Sequence, residues 1–407
     1  MSEERVRNRW IVVVGAIMIQ LALGTIYSWG TLTTFISPYI NEAPELTVYV
    51  FGIGLLSFAI TMIIAGKLQQ THGPKRVAIL GGILIGIGVI FSSLMTSFLG
   101  LLITYGILFG SGIGFAYVCP IACAGKWFPD KKGFINGIAV AGFGAGAFIF
   151  NFVIEWLSQI SIPVMFIILG IIYLAMIIGG ALTLNNPPEG WQPDGWDPIN
   201  HSVESEVLES NFERREVLKL YQFWMLWGTF VLSAISGLLV IGSFASFAHS
   251  DVTYEIYLIN FVLIGSLAAL FNGFGRIFWG KLADIITYKK SMIVMFSIQA
   301  ILMISYFFTN SSMLVFTFYT CAIFFCFGGN FSLFPTATSD LFGSEKLGAN
   351  YGILFTAYGI AGFIGAVGVD LFVRTFGSYL VLFIVMGCMS IGGVVLVHLI
   401  KPPVSKI

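Results

Sequence analysis

The sequence predicts an all-α membrane protein of twelve transmembrane helices arranged as two pseudo-symmetric six-helix bundles. Three observations carry this. The composition is 57% apolar and 10% charged, with a mean hydropathy of +0.92, against roughly 25% charged residues in soluble domains. Twelve apolar runs each approach the about 20 residues that a spanning helix needs. A set of short motifs in the first half recurs in the second at a nearly constant offset.

In order, the runs are Trp10 to Ile36, Thr47 to Leu68, Val77 to Met95, Phe98 to Ala124, Phe134 to Leu157, Pro163 to Leu184, Phe223 to Phe247, Tyr254 to Trp279, Ser291 to Phe308, Met313 to Thr338, Tyr351 to Val373 and Tyr379 to Ile400. The first is too long, and lacks the small-residue cleavage site, to be a removable signal peptide. Between the sixth and seventh runs lies the one long polar segment, rich in Pro, Gly and acid before a basic helix-like end. It divides the chain into residues 1–185, a central loop 186–220 and residues 221–407.

Charge assigns the sides. With the N-terminus inside, Arg5, Arg7, Arg9, Lys67, Lys75, Arg76, Lys126, Lys131, Lys132, Arg214, Arg215, Lys219, Lys281, Lys289, Lys290, Lys346, Lys401 and Lys406 all fall on one face, leaving only Arg276 and Arg374. The positive-inside rule then places both termini and the central loop in the cytoplasm. The short loops and tails suggest a prokaryotic plasma (inner) membrane. Cys119, Cys123, Cys321, Cys326 and Cys388 all lie within apolar runs without CxxC spacing, as small packing residues do.

The repeated motifs are specific in position. Gly66-Lys67-Leu68 recurs as Gly280-Lys281-Leu282 and Lys75-Arg76 as Lys289-Lys290; Gly114 and Pro120 recur as Gly329 and Pro335. Gly137, Gly144, Phe148 and Ile149 recur as Gly352, Gly359, Phe363 and Ile364, so every offset is 214 or 215 residues. Such a parallel duplication is transporter architecture, with a midplane site between the halves and rocking of one half on the other.

Within this pattern, GKLQQTHGPKR at Gly66 to Arg76 resembles the loop signature G-x-x-x-D-R-x-G-x-R-K of the major facilitator superfamily, with Gln70 in place of the aspartate and Thr71 in place of the basic residue. The second copy, GKLADIITYKK, keeps the acid as Asp284 but has Thr287 for the second glycine. In that family the acid pairs with basic and helix-end groups to hold the outward-facing form. The resemblance therefore implies a conformational latch at Asp284, Gly66, Gly280, Lys75 and Arg76; the alternative is that these are charged turns marking the cytoplasmic side.

Further motifs narrow the branch: NRW at Asn8 to Trp10, GTIYSW at Gly24 to Trp29, KWFPDKKG at Lys126 to Gly133, NGFGRIFWG at Asn272 to Gly280, FGGNFSLFP at Phe327 to Pro335 and NYG at Asn350 to Gly352. Together they resemble the oxalate/formate antiporters and monocarboxylate carriers. The resemblance implies that Arg276, the helix-eight arginine, binds the substrate carboxylate. It places Tyr358 where dicarboxylate carriers of the branch supply a helix-eleven lysine, and Asn272 where many eukaryotic monocarboxylate carriers have aspartate. It also points to Tyr27, Tyr117, Phe327, Asn330 and Phe331 as pocket residues.

Physical chemistry supports the same arginine independently. A guanidinium cannot lose its proton, and a charge at membrane depth costs several kcal/mol unless it meets a partner, water or ligand. Its planar fork can hold a carboxylate bidentately. Asn272 lies at i−4 on the same helical face, where its amide can orient Arg276 or bond the substrate. The alternative is that Arg276 snorkels to the headgroups.

With no second deep cation, the site suits one carboxylate. The expected function is secondary transport of a small monocarboxylate (lactate, pyruvate, formate or acetate) together with a proton; the rivals are an oxalate/formate-type anion antiporter and a non-transporting carboxylate sensor. No Asp, Glu or His sits at mid-membrane: Glu155, Asp251, Glu255 and Asp370 fall toward outer helix ends, where Asp370 and Arg374 read as a surface pair, and His398 lies toward the inner end of helix twelve. Gly142 to Gly146 is followed by no Lys-Ser/Thr, so it is not a phosphate loop. No cofactor, metal, nucleic acid or enzymatic chemistry is expected. The expected partners are the anion, a proton and lipid, and the expected state is a monomer.

Overall fold

The computed structural model describes residues 8–128, 132–188, 192–193, 212–249, 258–309, 312–343 and 347–403. Arg5, Arg7, Lys131, Lys346, Lys406, Asp251 and Glu255 lie outside the described residues, as does most of the central loop. Twelve helices among the described residues are long and apolar enough to cross a membrane: α1 (Trp10–Ile40), α2 (Pro44–His72), α3 (Pro74–Ser92), α4 (Phe98–Trp127), α5 (Gly137–Ser158), α6 (Ile162–Ala181), α7 (Tyr221–Ala248), α8 (Phe261–Ile286), α9 (Tyr288–Thr309), α10 (Met313–Phe342), α11 (Leu347–Phe376) and α12 (Leu380–Leu399).

Several sequence devices set these helices. Pro44 and Pro74 open α2 and α3 at the position where a missing N–H costs least. Pro120 and Pro335 stand inside α4 and α10 at matching places, each removing one intrahelical hydrogen bond. A 3-10 stretch over Gly24–Ser28 interrupts α1 and carries Tyr27.

The turn between α2 and α3 hinges on Gly73 (φ 80°, ψ 156°), and the turn between α8 and α9 repeats it at Thr287 with φ 81° and ψ 151°. These two positions differ by 214 in sequence. The duplicated turn therefore demands a glycine conformation from a β-branched residue, a strain of about 1–3 kcal/mol. Thr287→Gly is expected to stabilise the protein by about 1 kcal/mol, less than the full strain because glycine loses more entropy on folding. A raised apparent melting temperature in detergent checks it.

Burial sorts the helices from inside to outside. The spans of α7 and α1 are 94% and 72% buried, whereas those of α6 and α12 are 33% and 39% buried. α1 and α7 thus occupy equivalent central places in the two halves, and α6 and α12 equivalent peripheral ones. The halves meet along two seams, α2 against α11 and α5 against α8. At the second seam a Cβ placed on Gly144 would lie 3.0 Å from Gly273 Cα, so glycine is what lets the two backbones touch.

The described basic side chains Lys67, Lys75, Arg76, Lys281, Lys289, Lys290 and Lys401 gather at helix ends on one face of the bundle, called here the basic face. Lys289 Nζ donates at 2.8 Å to the carbonyls of both His398 and Ile400, satisfying acceptors that the end of α12 leaves free.

Candidate functional site

Arg276 sits in the middle of α8 and is only 2% exposed. That rules out snorkelling: the side chain turns inward to the α5–α8 seam. Its Nε donates to Asn272 Oδ1 at 3.1 Å, one turn away, and Nη1 donates to the Val140 carbonyl of α5 at 3.0 Å. The Phe331 ring of α10 lies 4.2 Å below the guanidinium carbon and the Phe143 ring of α5 lies 5.5 Å away, within cation–π range. These contacts hold the fork rigidly without using it up. Among the described residues, Nη2 of Arg276 and Nδ2 of Asn272 have no hydrogen-bond partner, although both are buried.

Two unpartnered buried donors on adjacent turns are costly unless a ligand takes them. Around them stands a wall of tyrosines and phenylalanines from both halves. The Tyr27 hydroxyl of α1 lies 3.0 Å from that of Tyr358 on α11. Tyr117 of α4 stacks on Phe355 of α11, with centroids 5.8 Å apart, and packs edge-on against Phe143 at 5.3 Å and Phe58 at 5.2 Å. The charge of Arg276 acts on the hydroxyls of Tyr27, Tyr117 and Tyr358, and on Tyr351 as well. Phe327 completes the wall, 5.8 Å from Tyr27 and 5.4 Å from Phe331.

The structure thus brings together Arg276, Asn272, Tyr27, Tyr117, Tyr358, Phe327 and Phe331. Asn330 is not among them. Its Oδ1 accepts from Ser233 Oγ of α7 at 2.7 Å, and the neighbouring Ser233 carbonyl accepts from Gln299 of α9 at 2.7 Å. Asn330 belongs to the interior of the second half, because one residue along a helix turns the side chain about 100° from Phe331, although its Nδ2 is also buried without a partner among the described residues.

Phe58, Val140, Phe143, Phe355 and Tyr351 were not singled out from the sequence. The repeat itself points to two of them: Phe143 matches Tyr358 and Phe58 matches Asn272 at the same offsets of 215 and 214.

The seam is tight beyond the site and loose toward the basic face. On the far side Tyr49 of α2 donates to Asp370 Oδ2 of α11 at 3.1 Å, while Asp370 Oδ1 pairs with Arg374 at 2.5 Å. Asp370 is therefore more than half of a surface pair, since it also ties the two halves together. Toward the basic face, a Cβ placed at Gly66, Gly137 or Gly352 would meet nothing within 4 Å. Asp284 and Arg76 are exposed there, and Asp284 has no ion-pair partner among the described residues.

Two six-helix halves around a buried polar site describe a transporter of the facilitator type. The profile of the Major Facilitator Superfamily matches residues 13–366, and the chain belongs to that family of transporters. It is 27% identical to apicoplast pyruvate carrier 1 of Toxoplasma gondii over 86% of this chain and 81% of that protein. It is 28% identical to the oxalate:formate antiporter of Oxalobacter formigenes over 88% of this chain and 83% of that protein. Among solved structures, a bacterial homolog of the human lysosomal transporter Spinster, inward-facing and unoccupied, superposes with a TM-score of 0.67 at 15% identity, covering 98% and 96% of the two chains. That likeness establishes the fold.

Proposed function

We propose that this carrier moves a small monocarboxylate, such as lactate, pyruvate, formate or acetate, by alternating access around Arg276. The observation that carries the reading is the pair of unpartnered donors, Arg276 Nη2 and Asn272 Nδ2, buried in an aromatic-walled seam. One carboxylate oxygen takes Nη2 and the other takes Nδ2, and water exclusion strengthens both bonds. Phe327 and Phe331 wall the apolar tail, while the Tyr27 and Tyr117 hydroxyls supply donors for the lone pairs those two carboxylate oxygens have left.

The residues domain by domain fit rocking of residues 1–185 against 221–407, because substrate groups come from both. A carboxylate on Nη2 and Nδ2 neutralises Arg276, the one buried cation among the described residues, and this removes the cost of drawing the halves together. Both termini are cytoplasmic on this reading, in a plasma membrane, so the basic face is the inner one. Asp284 then latches against Gly66, Lys75 and Arg76 only when that face closes. A proton travels with the anion, either on a carboxyl group nearer the far face or on the substrate itself.

The kinship to an oxalate:formate antiporter keeps dicarboxylate exchange as the second reading. Tyr358 weighs against it, since a neutral hydroxyl stands where the resemblance places a lysine in dicarboxylate carriers. The test is uptake of labelled lactate into proteoliposomes under an imposed pH gradient, with and without unlabelled oxalate. Gradient-driven lactate entry that oxalate fails to compete is expected. Strong oxalate exchange with no lactate movement would replace the proposal with the second reading, and absence of counterflow for any carboxylate would make the protein a sensor.

A further inference from the structure

We infer that Thr31, Asn151 and Ser266 form a second, uncharged subsite for the substrate's carboxyl group, about three helical turns from Arg276 toward the far face. The inference rests on the carrier reading above.

The placement follows from helix register. Gly144 of α5 touches Gly273 of α8. Seven residues outward on each helix, two turns or about 10 Å, stand Asn151 and Ser266, at the same level of the seam. Thr31 joins them from α1: a Cβ placed on Gly265 would lie 3.2 Å from both Thr31 Oγ1 and Asn151 Nδ2. All three side chains are at least nine-tenths buried. Thr31 Oγ1, Asn151 Oδ1 and Ser266 Oγ have no hydrogen-bond partner among the described residues.

Three orphaned polar groups in one seam cost free energy comparable to lost hydrogen bonds, and packing does not require them. The duplicated fold supplies the control. At the offsets of 214 and 215 residues, Ser266 corresponds to Gly52 and Asn151 to Ala366. On the α2–α11 seam that pair closes with no polar group, a Cβ on Gly52 lying 2.7 Å from the Ala366 methyl. The same joint is thus apolar in one seam and polar in the other.

The polar version leads somewhere at both ends. Inward lie the unpartnered donors of Asn272 and Arg276. Outward, at the far face, opens a cavity of about 760 Å³ lined by Thr33, Ser37, Ser246 and the carboxylates Glu42 and Glu45, where the buried Ser246 hydroxyl is also unpartnered. The Phe244 ring closes the gap, 3.0 Å from a Cβ placed on Gly265. Two hydroxyls that can donate and an amide whose Nδ2 donates and whose unpartnered Oδ1 accepts match a protonated carboxyl group, whose O–H the amide oxygen takes; an ionised carboxylate only accepts and would leave Oδ1 unpaired. Without a cation the subsite holds it weakly, which suits a stage on the way to Arg276.

The test uses isosteric apolar variants, Thr31→Val, Asn151→Leu and Ser266→Ala, in the full-length protein. Labelled pyruvate entry is measured in vesicles with the far face outward, and pyruvate binding to purified protein is measured by thermal shift. Each variant is expected to raise the KM for entry about three- to tenfold, the effect of one hydrogen bond. Each is also expected to retain pyruvate binding and to melt no lower than the wild type. Unchanged entry kinetics in all three, with binding retained, would overturn the subsite. If the wild type itself binds no pyruvate, the assignment at Arg276 fails first and the subsite falls with it.

Discussion

Arg276→Lys lowers monocarboxylate uptake by about two orders of magnitude while leaving the protein folded. The lysine keeps the charge but loses the fork. It cannot donate to Asn272, to the Val140 carbonyl and to a substrate oxygen in one fixed plane, as the guanidinium does. Two charge-assisted hydrogen bonds are worth about 3 kcal/mol or more together, and each 1.4 kcal/mol is about tenfold in affinity. Initial uptake rates in proteoliposomes, normalised to monodisperse protein, check the loss. If the arginine were merely structural, the lysine variant would lose stability and keep its rate per folded molecule.

Tyr358→Lys is expected to change which anion is carried. The Tyr358 ring stands 5.4 Å from Phe331, which itself covers the Arg276 guanidinium, and its hydroxyl feels the Arg276 charge. A second ammonium in this buried place repels Arg276 when the site is empty, and like charges brought together cost several kcal/mol. A dianion relieves that repulsion and a monoanion does so only in part. Oxalate uptake should therefore appear in the variant and lactate uptake should fall by about tenfold or more. Competition of each unlabelled anion against labelled lactate and labelled oxalate gives the ratio directly. The variant also separates the two functional readings, because a wild type that already prefers oxalate would gain little from the new cation.

The spans and the duplication were legible because hydrophobicity and constant offsets are properties of the chain in one dimension. Arg276 and Asn272 were legible for a similar reason, being a lone charge and a polar residue one turn apart on a single helix. Part of the aromatic wall was not. Phe58, Phe143 and Phe355 hide among 39 phenylalanines, and nothing local distinguishes a ring facing the seam from one facing lipid. What distinguishes them is the repeat: Phe143 and Phe58 occupy the first-half places of Tyr358 and Asn272. Asn330 is the opposite case: Phe327 and Phe331 share a helical face that Asn330, a single residue away, does not. The contact between Tyr27 and Tyr358, 331 residues apart, exists only once the halves are docked.

The glycine face of α5 and the strained turn at Thr287 connect the fold to its working. Gly144 lets α5 approach α8 closely enough for the Val140 carbonyl to reach Arg276, so the first half helps aim a charge carried by the second. On the proposed reading, rocking of the halves changes the arginine's surroundings.

The most direct measurement is calorimetric titration of purified protein with pyruvate, for the wild type and for Arg276→Gln, which keeps a polar side chain of similar reach and removes the charge. One molecule of pyruvate binding per wild-type chain, with no heat of binding in the glutamine variant, is the predicted result. Equal affinity in the two proteins would contradict a site centred on Arg276.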